Sequence, residues 1–478
     1  MLDFLKKDSK PWGLEWRSSV WFVTLVVGYG IMTDLLVYSV VIPVIPFQLE
    51  ALGYSSPSAL TAYLLLAYSI ALVTFSPISS WISEKYGARK SPLVWGLVSL
   101  MGFLVMFMEA PNYAVMVVAR FTQGISSSVI WVVGLALLAD VVPEEMLGQQ
   151  IGFASTGLVI GMLAAPPISG VLYERFGFRA PFIFGIIVTA FDLVFRLLVI
   201  ERVDALKWGH DPALSKKSNT EVDVENVSEK KQDKTADKEK KVDTTVNAPP
   251  PKAKKLPEIE VWKFMLSNTR SVVTLFSILV YGITYTGLEP TLTLRLADLY
   301  GFGSTKVGLV ILASGIAAIF ASPISGFLVD KSGVEWITSI VPALVAVPYL
   351  LMIIKTTLPP FIVFFAIANF LLAGVVTPLT TELASVARNK DGVGFAHVYG
   401  FFNMAFGVGS AVGPLISGLV YANAKQGWTI LLSYGAGLLV LASILNAFYC
   451  GERPLVSRFR RKHNDEPQPQ ENNNTTQS

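Results

Sequence analysis

Ser76-Pro77-Ile78-Ser79 is followed by Glu84-Lys85 and Gly87, and 246 residues later Ser322-Pro323-Ile324-Ser325 is followed by Asp330-Lys331 and Gly333. A second pair of segments recurs at nearly the same distance. Ala165-Pro166-Pro167-Ile168-Ser169-Gly170 ends in Tyr173, and 248 residues on, Gly413-Pro414-Leu415-Ile416-Ser417-Gly418 ends in Tyr421. Two unrelated motifs repeating at one spacing mark the duplication of a long unit. Each half of the 478-residue chain is therefore read as one copy.

Of these residues 52% are hydrophobic and only 15% charged, against about 25% charged in a soluble globular chain. The apolar residues fall in runs of about 20, the length that crosses a bilayer. Such runs lie near 19–45, 58–81, 91–108, 113–139, 149–174 and 180–200, and again near 271–297, 305–329, 335–355, 358–386, 393–422 and 427–449. The expected fold is an all-α polytopic membrane protein, with twelve transmembrane helices in two pseudo-symmetric six-helix bundles. A duplicated membrane bundle is the architecture of secondary transporters, whose solute site lies between the repeats.

The expected organisation is a cytosolic N-terminus (1–18), a first bundle (19–200), a linker (201–270), a second bundle (271–449) and a tail (450–478). Residues 211–260 hold 11 lysines, 11 acidic residues and no aromatic one, a composition that cannot bury enough apolar area to fold. Lys6, Lys7, Lys10 and Arg17 precede the first helix, Lys85, Arg89 and Lys90 follow the second, and Arg458, Arg460, Arg461 and Lys462 follow the last. This bias puts both termini in the cytosol. A multi-pass location in the plasma membrane is expected, with a vacuolar or vesicular membrane as the alternative. The net charge of +3 gives no reason to expect nucleic-acid binding. One cysteine, Cys450, and three separated histidines argue against a disulfide, a metal site or any cofactor. No zinc-protease or serine-hydrolase motif lies in the spans, so an enzyme is not expected. The expected partners are a small-molecule solute, protons and the lipid bilayer, for a monomeric chain.

The repeated Ser-Pro segments end helices two and eight, where small residues let helices approach. The charges after them are expected to lock to the opposite half when the inner gate is closed. Twelve helices, a duplicated half and a charged glycine turn after helices two and eight resemble the major facilitator superfamily. The gating residues of that motif are Glu84, Lys85, Gly87 and Arg89 in the first copy and Asp330, Lys331 and Gly333 in the second. The second copy matches with Gly326, whereas the first has Ser80 for glycine and Glu84 for aspartate. Helix five, with Gly157, Gly161, Pro166, Pro167 and Gly170, resembles the antiporter motif of the drug:proton antiporter branch. Its small residues at every fourth position are expected to give a smooth face on which a helix of the other half can rock.

Helices one and seven carry a closer resemblance. Asp34 precedes Val40-Val41-Ile42-Pro43-Val44-Ile45-Pro46, and Glu289 sits in Gly287-Leu288-Glu289-Pro290-Thr291-Leu292. With Ala119-Arg120, Gln123-Gly124 and Ala180-Pro181-Phe182, these look like the vesicular amine transporters and their microbial and fungal relatives. That likeness implies that Asp34 and Glu289 contact a substrate amine or relay protons; Arg120 with Gln123-Gly124 resembles the superfamily's fourth-helix motif, which implies a part in proton coupling. The residues themselves agree: each acid lies in an apolar span, with no basic residue three or four positions away. A buried carboxyl group can exchange a proton for a cation. A hydrogen-bonded structural acid is the plain alternative, as is a structural arginine for Arg120. Three departures matter. The helix-two lysine of that group is missing, with Tyr68 nearest to its position. The helix-eleven acid falls on Asn403. Helix ten has no acid before Glu382. Asp192 and Arg196, four apart in helix six, read as a self-neutralising pair, and His397 reads as a packing residue. The resulting expectation is proton-coupled antiport, by alternating access, of an amphipathic organic cation or drug-like molecule. An uptake symporter and a non-transporting sensor are the rivals.

Overall fold

The computed structural model describes residues 10–54, 57–213, 256–302, 304–355 and 357–458. The central part of the linker, 214–255, and the tail beyond 458 lie outside them. The first bundle is built from α1 (Val20–Val41), α2 (Pro57–Tyr86), α3 (Lys90–Met108), α4 (Tyr113–Val141), α5 (Leu147–Phe176) and α6 (Arg179–Leu198). In the second bundle, α7 (Thr269–Gly287) is continued by Glu289–Tyr300. The next span, α8, joins Ser304–Gly315, a 3₁₀ segment Ile316–Phe320 and Ala321–Ser332. Then come α9 (Val334–Leu351), α10 (Leu358–Ala373 with Val376–Arg388), α11 (Phe395–Asn423) and α12 (Gly427–Tyr449). Eleven described helices are long and apolar enough to span a bilayer. A twelfth is reached by counting α7 with the Glu258–Ser267 helix before it, although the two meet at an 82° bend.

Local sequence sets the helix ends. Ser19, Asn112 and Asn268 accept backbone N–H bonds at the starts of α1, α4 and α7, satisfying donors that have no partner within the helix. Gly87 (φ 61°) and Gly333 (φ 89°) end the two duplicated helices in left-handed backbone, which only glycine adopts without strain. Helix α7 breaks at Leu288. Pro290 has no N–H to bond the carbonyl of Thr286 four residues back, and a proline ring crowds that carbonyl.

The segment expected to be an unfolded linker is ordered at both ends. Arg202–Leu206 forms a short helix, and Glu258–Ser267 forms another with Val261 and Met265 buried. The charge-rich composition of 211–260 stops just short of this apolar stripe. Trp262 packs edge-on against Phe401 of α11, with ring centres 4.7 Å apart. The described chain ends share one face of the molecule. Arg17 meets the end of α6 through the Ile200 N–H, Arg458 pairs with Glu335 at the start of α9, and Arg388 bonds the Val142 carbonyl across the bundles. The bundles meet along two seams, α2 against α11 and α5 against α8.

Candidate functional site

Between the bundles lies a small cavity of about 50 Å³, walled by Tyr38, Tyr68, Trp131, Tyr281, Phe402 and Asn403. Asp34 sits directly behind this wall and is fully buried. Its carboxylate accepts hydrogen bonds from Ser127 Oγ and from Trp131 Nε1, the latter at 3.0 Å. Both donors are neutral, and no ion pair to Asp34 occurs among the described residues. Donors of this kind favour the charged form and burial favours the protonated one, so an arriving cation can tip the balance. Trp131 links the acid to the cavity, since its ring faces the space while its N–H holds Asp34.

Tyr68 is buried and lines the cavity, its ring 4.7 Å from that of Tyr38. Asn403 is 2% exposed, and its Nδ2 has no hydrogen-bond partner. A buried unpaired amide is costly, which gives this donor something to offer a solute. Arg120 does not line the cavity. It lies fully buried behind Tyr38, bonds Gln123 Oε1 at 2.6 Å, and stacks between the rings of Tyr38 and Phe107. Glu289 opens the continuation of α7, but its side chain lies outside the described residues. Asp192 and Arg196 approach to 3.6 Å, both buried. Gly30 makes room for them, since a Cβ there would lie 2.3 Å from Arg196 Nη2.

On the face that carries the chain ends, both copies of the duplicated motif reach across the seam. Glu84 accepts the Ala396 N–H of α11 at 3.1 Å, and Asp330 accepts the N–H groups of Gly148 and Gln149 of α5 at 2.8 and 2.7 Å. The other charges act differently from expectation. Arg89 stays within its own half, bonding Glu84 at 2.7 Å and Asp140 at 2.8 Å. Burial opposes the Arg89 charge, but Asp140 and Glu84 outweigh it and hold the guanidinium above its ordinary range. Lys85 and Lys331 are exposed and have no hydrogen bond or ion pair across the seam among the described residues; Lys85 lies over the Trp81 ring instead. With these contacts made, the seam is shut on this face.

The antiporter-motif glycines need a correction. A Cβ on Gly157 would lie 2.1 Å from the Gly28 carbonyl, and one on Gly161 would lie 2.5 Å from the Met32 carbonyl. Both therefore seat α5 on α1 of the same half. The contact with the other half is made by Gly148 and Gly152, the latter 2.5 Å by the same measure from the Ser322 carbonyl of α8. Pro166 and Pro167 are exposed, and Gly170 has open space beside it.

A sequence model of the Major Facilitator Superfamily matches residues 20–395 and 274–472. The chain belongs to this superfamily. The MFS-type transporter ppzB of Metarhizium rileyi is 27% identical, over 93% of this chain and 97% of its own. The multi-drug resistance efflux pump PmrA of Streptococcus pneumoniae is 26% identical, over 85% and 90%. A probable vesicular acetylcholine transporter-B of Danio rerio is 33% identical, over 37% of each chain. The twelve-span, two-bundle fold is thus that of a superfamily transporter, and the chain is not an enzyme.

Within this fold, sequence reading missed several residues. Ser127 and Trp131 lie 93 and 97 positions from Asp34, and no local pattern joins them. Asp140 had a signal, as an acid at the end of an apolar span. Glu335 occupies in the second copy the register that Arg89 holds in the first, and it accepts from Arg458 at 3.0 Å.

Proposed function

We propose that this chain is a proton-coupled antiporter that expels an amphipathic organic cation or drug-like solute by alternating access. Asp34 is the observation that carries the reading: a buried carboxylate with neutral donors only, behind a cavity wall of aromatic rings. Aromatic faces attract cations, and Tyr38, Tyr68, Trp131 and Tyr281 surround the space. A cation entering this ring favours ionised Asp34 and so releases its proton. Reprotonation from the other side removes the counter-charge and releases the cation. Asn403 supplies a hydrogen bond that orients the solute, and Glu289 acts as the second acid from the opposite bundle. The Glu84 and Asp330 contacts close the face bearing the termini, which we assign to the cytosol from the lysine and arginine bias. The multidrug pump and acetylcholine transporter among the relatives fit such a substrate class.

The test is flux in proteoliposomes under an imposed pH gradient, with Asp34→Asn as the variant. Asparagine preserves the shape and the bonding capacity toward Ser127 and Trp131 but cannot exchange a proton. The expected outcome is loss of gradient-driven accumulation, by about a hundredfold or more, with the protein still folded. Gradient-driven flux at the wild-type rate in Asp34→Asn sinks the reading.

A further inference from the structure

The central cavity, at about 50 Å³, is too small for a drug-sized solute, which needs about 300 Å³ or more. A second chamber of about 310 Å³ adjoins it. It lies between α1 and α5 of the first half and α7, α8, α9 and α10 of the second, and shares Met162 and Tyr285 with the central cavity. Its wall includes Leu163, Gly315, Ala318 and Phe365, and no charged side chain among the described residues lines it. Ser39 of α1 also lines it, and three other polar side chains on its wall are turned to protein partners. Asn369 Nδ2 donates to Ser314 Oγ at 3.2 Å, Tyr349 donates to the Thr284 carbonyl at 3.1 Å, and Tyr285 donates to Met162 Sδ at 3.4 Å.

The sequence of α8 makes this space. The helix changes to a 3₁₀ segment over Ile316–Phe320, and Gly315 before it carries no side chain. A Cβ at Gly315 would lie 2.6 Å from Leu163 Cδ1, so Leu163 leans into the room that the glycine leaves. A 3₁₀ stretch inside a helix is often functional, and an apolar void of this size is costly to leave empty.

We infer that this chamber is a second ligand subsite, which takes the uncharged hydrocarbon or aryl part of the solute while its charged group stays among the central rings. The inference rests on the organic-cation reading for the charged end only; the chamber itself selects for apolar length. Shared Met162 and Tyr285 join the two spaces into one site, and their side chains form the threshold between head and tail.

The test uses purified protein in nanodiscs of dioleoyl phosphatidylcholine. Binding constants are measured for alkyltrimethylammonium ions of increasing chain length and for the matching neutral primary alcohols. Both series should tighten by about fourfold per added methylene, up to the length that fills the chamber. Ala318→Phe and, as a second variant, Leu163→Trp should flatten that gradient while leaving tetramethylammonium binding within about twofold. A gradient that persists in both folded variants overturns the inference. A flat series in wild-type nanodiscs gives the chamber to a lipid acyl chain and overturns it as well. Failure of the cation reading has a separate signature: alcohols would bind as well as ammonium ions, with the chain-length gradient intact.

Discussion

The two copies of the gate motif perform one task with different chemistry. In the first copy Glu84 is part of a buried cluster, sharing Arg89 with Asp140, and it accepts a bond across the seam from the Ala396 N–H. In the second copy Asp330 has no ion-pair partner among the described residues and puts both oxygens on the N–H groups that open α5. The glycine roles are exchanged as well. Gly326 on α8 meets the Gly148 carbonyl of α5, while at the first seam Ser80 stands on α2 and the space is made by Gly400 of α11. The missing glycine of the first copy has thus moved to the facing helix. Duplication fixes the geometry of closure, and each seam can then divide the small residue and the charge between its two helices in its own way.

Between the two seams, the largest expected effect tests that division of space. An alanine at position 326 would put its Cβ 2.2 Å from a backbone oxygen, whereas one at position 400 would lie 3.0 Å from the Ser80 Cβ. The first clash can be relieved only by moving a helix. The second needs a shift of a few tenths of an ångström. Overpacking of the first kind costs about 1–3 kcal/mol, and that cost falls on the state in which the seam is closed. Gly326→Ala should therefore cut turnover by about tenfold or more, with substrate affinity changed much less. Gly400→Ala should stay within about twofold. Equal losses in the two variants would show that the seams are not divided as described.

Charge comes second. Asp330→Asn keeps one acceptor but loses the charge that two N–H groups at a helix start favour, an interaction of about 1–2 kcal/mol. Turnover should fall by about five- to twentyfold. Glu84→Gln leaves Arg89 paired with Asp140 and retains an acceptor for the Ala396 N–H, so its loss should be smaller, about two- to fivefold. Measuring turnover and binding constants together checks the sign, because the variants should destabilise one state of the cycle more than they weaken the site. A larger loss in Glu84→Gln than in Asp330→Asn would reverse the comparison.

Much of the fold was legible because its signals are local or periodic. The Ser-Pro repeats, the apolar runs and the turn glycines Gly87 and Gly333 are of this kind. Partners across the seam were not legible. Glu84 and Asp330 bond backbone N–H groups, which every non-proline residue has and which leave no mark on residue type. The glycines of α5 show a different limit. Gly148 and Gly152 lie on one face and Gly157 and Gly161 on the opposite one, about 180° around the helix at about 100° per residue. Sequence shows two small faces but not which neighbour each one meets. Asp34 was readable as a buried acid, yet its hold on the cavity wall through Trp131 depends on how α1 crosses α4.

The smallest expected effect concerns the residue that the two copies share most plainly. Lys85 and Lys331 follow the gate acids at the same position, which invites the reading that both close the gate. In the folded chain both are exposed, and neither bonds the other bundle among the described residues. Solvent and salt screen such charges, and an exposed lysine contributes about 0–1 kcal/mol to any one pairing. Lys85→Ala and Lys331→Ala should each leave turnover within about twofold, and the double variant should behave as the product of the singles. Their role then lies in placing positive charge on one side of the membrane, which is read out by topology and not by turnover. The decisive measurement sets flux against orientation in the same preparation. Normal flux per correctly inserted molecule with a reduced inserted fraction assigns the lysines to insertion. A tenfold fall in flux per inserted molecule would return them to the gate, and the closed seam would then need a contact that involves their ammonium groups.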